Sequence, residues 1–243
     1  RPPSWVEASE PPMSSGQAVP VSEWLKTFVP LGTYSEDAWA PAGAGVLIVD
    51  LPVVWLVTSK RMVHSLEGPV AAFLEHGEGA TILDLSEGHA KSGLEWIEHE
   101  ELDLIVSLFP TSPAWKIKAF AQQQCVPSAE LSQLLPVVSA GCPYGTIEVE
   151  RPRPFMLEGS IANLDRPLIH TTAPLLPRNA GAPLFLPGPE AFRLAGVLSR
   201  TLLVPEGDPR VPPIRLAEAI GMEPVWDLVR GEQARAQRKA VAG

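Results

Sequence analysis

Apolar residues in this chain come in short runs, each closed by proline, glycine or asparagine. Residues 46–50 (VLIVD) and 53–58 (VVWLVT) flank a Leu-Pro pair. Their β-branched content favours strands over helix. Residues 80–85 (ATILDL) alternate in polarity, 104–108 (LIVSL) reads as a short buried strand, and 27–29 leads into Pro30. The texture returns in the second half at 137–140, 156–163, 168–171, 184–186 and 194–198. Short strands bounded this way predict a sandwich or barrels. Residues 119–135, broken by Pro127, have helical composition and read as a connection between two halves. A helical region is expected from 215–221, continued by 224–240, whose basic last turns suit a helix C-terminus. The resulting division is an arm at 1–25, a first β unit at 26–120, a connection at 121–136, a second β unit at 137–215 and a helical tail at 216–243.

Composition narrows the function classes. The 243 residues are 45% apolar and carry 27 prolines, too apolar for a disordered chain and too punctuated for long helices. A net charge of −9 argues against a nucleic-acid-binding surface. No uncharged apolar run reaches the ~18 residues of a membrane helix. Two cysteines, Cys125 and Cys142, exclude a disulfide scaffold and a four-thiolate zinc site. Nothing in the pattern asks for a cofactor or a metal. The chain opens without Met and without a charged-then-apolar leader, which leaves a removed signal and a trimmed start both open.

Several segments, in order, resemble trypsin-like serine peptidases of the bacterial HtrA type. Residues 43–48 (GAGVLI) are similar to the family's G-[ST]-G-F strand, and 55–63 (WLVTSKRMV) to its L-V-T-N-x-H-V-V segment. Residues 96–106 (WIEHEELDLIV) resemble D-[LI]-A-[VL], 141–145 (GCPYG) resemble G-[YF]-P-x-G, and 177–185 (PRNAGAPLF) resemble P-G-N-S-G-G-P-[VL]-F. Residues 195–199 (AGVLS) and 211–214 (VPPI) fit the late G-[VI]-[VI]-S and V-P-[IV] segments. The resemblance implies an all-β, chymotrypsin-like fold: two six-stranded antiparallel barrels, a C-terminal helix, an extended N-terminal arm, and the active site at the seam.

That chemistry needs a serine nucleophile, a histidine base and an orienting aspartate. Matched position by position, the aspartate is retained as Asp103. Arg61 stands at the histidine position, Ala180 at the serine position, and Arg178 at the oxyanion-hole glycine, followed by Asn179. Alanine offers no nucleophile, and a guanidinium of pKa above ~12 is no base at neutral pH. The resemblance therefore implies a pseudoprotease that binds a protein or peptide partner, with Arg61 and Asp103 expected to form an ion pair. Two other readings stay open: a structural subunit that uses its arm and tail as contacts, and an active peptidase whose serine was changed to Ala180.

The remaining candidates read more plainly. His64, three residues past Arg61, shares a helix face with it but has nothing at position 180 to activate. His76, His89, His99 and His170 follow no metal-ligand spacing and are expected to be surface or hydrogen-bonded loop residues. Cys125 and Cys142 are open to pairing or to life as free thiols. Trp5 and Trp24 sit in the Pro-rich arm, where an aromatic needs an apolar surface to land on. The basic stretch 230–239 reads as a helix end or as a contact for an acidic partner.

Overall fold

The computed structural model describes residues 26, 28–35, 38–76, 79–141, 155–188, 191–204 and 213–242. The arm, Cys142 and the GCPYG turn beyond Gly141, and the Val211-Pro212 pair lie outside them.

Seven strands form the first sheet: β1 (Phe28–Ser35), β2 (Ala38–Asp50), β3 (Val53–Thr58), β4 (Ala71–His76), β5 (Gly79–Asp84), β6 (Ile97–Glu98) and β7 (Ile105–Phe109). Their order is β5-β4-β1-β2-β3-β7-β6. The interior strand β3 is buried along its whole length, as its unbroken apolar run requires of a strand covered on both faces. Six more strands close into an antiparallel barrel: β8 (Pro136–Gly141), β9 (Phe155–Asp165), β10 (Leu168–Thr171), β11 (Pro183–Leu186), β12 (Arg193–Val204) and β13 (Ile214–Gly221), in the order β10-β13-β12-β11-β8-β9. The chain is thus mostly β with one closed six-stranded barrel. The first half, expected as a six-stranded barrel, is instead a seven-stranded sheet that does not close among the described residues.

Two helical expectations are corrected. Residues 119–135 carry only the single 3₁₀ turns Gln122–Gln124 and Ser128–Glu130. Phe120 exchanges hydrogen bonds with Leu47 and Val49 of β2 at 2.9 Å, so the backbone there extends the first sheet. Residues 214–221 form β13, whose alanines and isoleucine pair with β12 inside the barrel, and this tertiary pairing overrides their helical composition. Helix follows directly: α3 (Met222–Arg230) and α4 (Glu232–Ala242), after the shorter α1 (Lys60–His64) and α2 (Leu85–Ser92) of the first half. Pro224 sits in the first turn of α3, where a missing N–H costs nothing.

The main core lies between the halves. Trp55 of β3, Phe120 of the connection, Phe185 of β11, Leu194 of β12 and Trp226 of α3 belong to one buried cluster. The Phe120 and Phe185 rings are 5.7 Å apart. Helix α4 folds back over the first sheet: Arg238 lies 5.4 Å above the Trp55 ring and ion-pairs with Asp50. The Gln237 amide donates to the Glu95 carbonyl at 2.9 Å. Arg230 reaches Gln122 at 2.6 Å. The basic stretch, open to a partner-binding reading from sequence, uses these two arginines inside its own chain.

Candidate functional site

Four segments converge at the seam. Helix α1 starts at Ser59, whose hydroxyl caps it by accepting the Met62 N–H at 3.3 Å. The same hydroxyl donates to Asp103 Oδ2 at 2.9 Å. Asp103 stands in the loop before β7, and that loop is shaped by His99. Nδ1 of His99 accepts the Glu101 and Leu102 amides at 3.2 and 3.1 Å, while Lys60 donates to the His99 carbonyl at 2.8 Å. From the barrel, Ser199 of β12 donates to Asp103 Oδ2 at 2.7 Å.

The expected Arg61–Asp103 ion pair is corrected. The Arg61 backbone N–H, not its guanidinium, donates to Asp103 Oδ1 at 2.7 Å, and the side chain is exposed with no ion pair among the described residues. The carboxylate is satisfied by an amide and two hydroxyls, donors that replace lost water without bringing a second charge. Arg200, next to Ser199, turns to Glu218 instead, with bonds of 2.7 and 3.1 Å. The hydrogen bond and charge of Glu218 hold the Arg200 guanidinium above its ordinary pKa, with a smaller contribution from Asp103. Glu218 is buried, and the bidentate pair supplies the partner that a buried carboxylate requires. His170 Nε2 stands 3.5 Å from the same carboxylate. Arg61, Leu102, Asp103, Ser199, Arg200 and Glu218 line a cleft of about 170 Å³.

Ala180 and Arg178 lie in the turn that leads into β11. The Ala180 carbonyl accepts from the Ala44 amide of β2 at 2.9 Å, so this turn stitches the barrel to the first sheet. A Cβ on Gly43 would stand 2.8 Å from that carbonyl oxygen and would strike the Met62 side chain, which places α1 and the Ala180 turn on either side of Gly43. Gly181 has φ +85°, and a Cβ there would fall on the Ala44 carbonyl oxygen and on Thr58 Oγ1. Arg178 adopts φ +67°, a left-handed conformation that strains a non-glycine residue. Asn179 is fully buried against Gly141, and neither its amide nitrogen nor its oxygen has a partner among the described residues.

Of the matched positions, then, Asp103 and Arg61 meet directly through a backbone amide, and Ala180 approaches through Gly43 and Met62. Ser199 and His99 are members of this constellation that residue matching did not single out. Ser199 ended a matched strand, a weak signal, whereas His99 acts through its ring nitrogen on loop amides, for which the sequence carries no pattern.

The other candidates sit elsewhere. His64 Nε2 contacts Glu98 Oε1 at 2.8 Å, on the exposed side of α1. His89 is buried in α2, 2.6 Å from Ser107 Oγ and edge-on to Trp96; burial lowers its pKa, opposed in smaller part by Asp84. It departs from the expected surface or loop setting because α2 folds that face onto the sheet. Cys125 is buried, and desolvation pushes its thiol up to about 12. Its pairing with Cys142, the side chain of His76, and the arm with Trp5 and Trp24 fall outside the described residues. Among the described residues there is no cluster of His, Cys, Asp and Glu able to hold a metal, and no helix long and apolar enough to cross a membrane.

No family model matches this sequence, and no curated protein matches it.

Proposed function

We propose that this chain is a pseudoprotease: a trypsin-like, double-barrel scaffold that binds a protein or an extended peptide and performs no hydrolysis. The observation that carries the reading is the setting of Asp103. Its carboxylate at the seam accepts from Ser59, from the Arg61 amide and from Ser199, while the side chains at the matched base and nucleophile positions are a guanidinium and a methyl group. The aspartate has no imidazole to orient at position 61, and no hydroxyl at position 180 awaits activation. The closed barrel and the order of the matched segments support the same ancestry.

A binding role draws support from β12. Its first half pairs with β11, and Leu198 with the turn at Gly181 and Ala182. From Arg200 to Val204 it pairs only with β13, so among the described residues no strand covers its other edge. An uncovered edge beside a cleft takes an extended chain by strand addition.

The test uses the full chain and its Ala180→Ser variant against a mixed pool of fluorogenic peptides. Both are expected to be silent, because serine without a base remains a poor nucleophile. Turnover by Ala180→Ser would overturn the reading in favour of a disabled active enzyme.

A further inference from the structure

His99 commits both its backbone polar groups and one ring nitrogen to the loop between β6 and β7. Its N–H donates to the Leu104 carbonyl at 2.9 Å and closes that loop. Its carbonyl accepts from Lys60 Nζ of α1 at 2.8 Å. Ring Nδ1 accepts the amides of Glu101 and Leu102, two and three residues on, at 3.2 and 3.1 Å. Both partners are donors, so Nδ1 is bare and the neutral imidazole carries its proton on Nε2. A side-chain acceptor that turns the backbone a few residues ahead is the usual work of aspartate or asparagine. Here the acceptor belongs to the side chain whose charge changes within about pH 5 to 8.

The residues held this way are cleft wall. Glu101, Leu102 and Asp103 line the cleft from this side, and Leu102 also packs on the main core. Asp103 has three donors of its own from α1 and the barrel, whereas the Glu101 and Leu102 amides have no acceptor but the ring among the described residues. The charged groups of this corner are Lys60 and Arg61 on α1, Glu98, Glu100, Glu101 and Asp103 along the loop, and Arg200 and Glu218 across the cleft. Glu98 is engaged by His64, and Arg200 and Glu218 by each other. No carboxylate is bonded to the His99 ring among the described residues, so a proton placed on Nδ1 finds no acceptor where the ring stands.

We propose that His99 is a proton-operated latch on the cleft wall. The neutral ring holds the Glu101 and Leu102 amides. A proton taken from solvent onto Nδ1 turns that atom into a donor, which faces two other donors and gives both up. Only the neutral form makes these bonds, so they are complete on the alkaline side and are lost as pH falls through the histidine range of about 8 to 5. Asp103 keeps its own three donors, which confines the change to residues 101 and 102. The latch stands on these hydrogen bonds alone. Its consequence, a cleft that holds an extended chain at neutral pH and lets it go in acid, rests on the peptide-binding reading above.

Amide-resolved hydrogen exchange of the full chain, corrected for intrinsic rates, is compared at about pH 7.5 and about pH 5. Protection of the Glu101 and Leu102 amides is expected to fall about tenfold or more in acid, as for loss of a net hydrogen bond each, while the Arg61 amide on Asp103 stays protected. His99→Asn supplies an acceptor that does not titrate, and its protection is expected to be the same at both values. His64→Gln is expected to respond as the parent does. Unchanged protection in the parent, an equal fall in His99→Asn, or an Arg61 amide that opens in step would each overturn the latch. Should His99→Asn not fold, the ring nitrogen resonances of the parent decide, and a ring protonated on Nδ1 at about pH 7.5 overturns it. None of these readouts needs a partner. Peptides selected on the full chain from a random library at about pH 7.5 are then expected to bind about tenfold more weakly at about pH 5, and equally at both values to His99→Asn. A selection that yields no peptide overturns the binding reading and leaves the latch standing.

Discussion

Ser199 and Asp103, 96 residues apart in the chain, are joined by a 2.7 Å hydrogen bond that runs from the barrel to the first sheet. Ser199 is buried, and the carboxylate it meets already holds the capping hydroxyl of α1 and the Arg61 amide. One acid therefore fixes the start of α1 and the register of β12 against it. Ser199→Ala is expected to cost about 1–2 kcal/mol, because a half-buried acceptor loses one partner. Asp103→Ala should cost more, about 2–4 kcal/mol, since three donors lose their acceptor together. Chemical denaturation of both variants measures the order; equal midpoints for Asp103→Ala and the parent would refute the shared-anchor account.

Gly181 tolerates no side chain. Its φ of +85° and the proximity of the Ala44 carbonyl and Thr58 Oγ1 leave a Cβ no room, and the obstacle on one side is backbone. Gly181→Ala is expected to lose at least ~3 kcal/mol or to fail to fold, as for other residues forced into strained conformations with steric conflict. A soluble variant with parental melting temperature would show that this turn yields.

Leu134 is the reverse case. It is 82% exposed and holds φ +68°, so its side chain contributes little while its backbone is strained. Leu134→Gly is expected to stabilise the chain by about 0.5–1 kcal/mol, relief of strain exceeding the entropy that glycine adds to the unfolded state. A drop in melting temperature would mean that the leucine contacts something its exposure hides.

His89 makes stability depend on pH. Burial, opposed in smaller part by Asp84, lowers its pKa below the ordinary 6.5, so the unfolded chain binds this proton more readily than the folded one. Its contribution is therefore complete above about pH 6.5 and is lost as pH falls through the lowered folded value. Melting temperatures of the parent should decline between pH 7 and 5, and His89→Gln should flatten that decline. Parallel curves for the two proteins would assign the slope to other groups.

Arg238 ties α4 to the first sheet through Asp50, the Val229 carbonyl and the Trp55 ring. Arg238→Ala is expected to cost about 1–2 kcal/mol through the lost ion pair and stacking. Hydrogen exchange should quicken in α4 before any other helix. Uniform exchange across α3 and α4 would argue that the two helices unfold as one.

Much of the strand framework was legible in the sequence because β-branched runs closed by proline and glycine leave a strand few alternatives. Residues 46–50, 53–58 and 168–171 fall in strands for that reason, as does 104–108 from Ile105 onward. The sequence by itself also fixed what positions 61 and 180 lack, since neither arginine nor alanine acquires a base or a hydroxyl by folding. Tertiary structure decided the rest. Residues 214–221 became a strand because β12 offered them a partner, and 119–135 stayed irregular because Phe120 bonded to β2. It also decided that Arg61 meets Asp103 through its amide and leaves its guanidinium free, a choice set by the placement of Ser59 and Ser199 around one carboxylate. Composition and spacing name the groups a chain carries, but which donor reaches an acceptor is settled only by the distances that packing imposes.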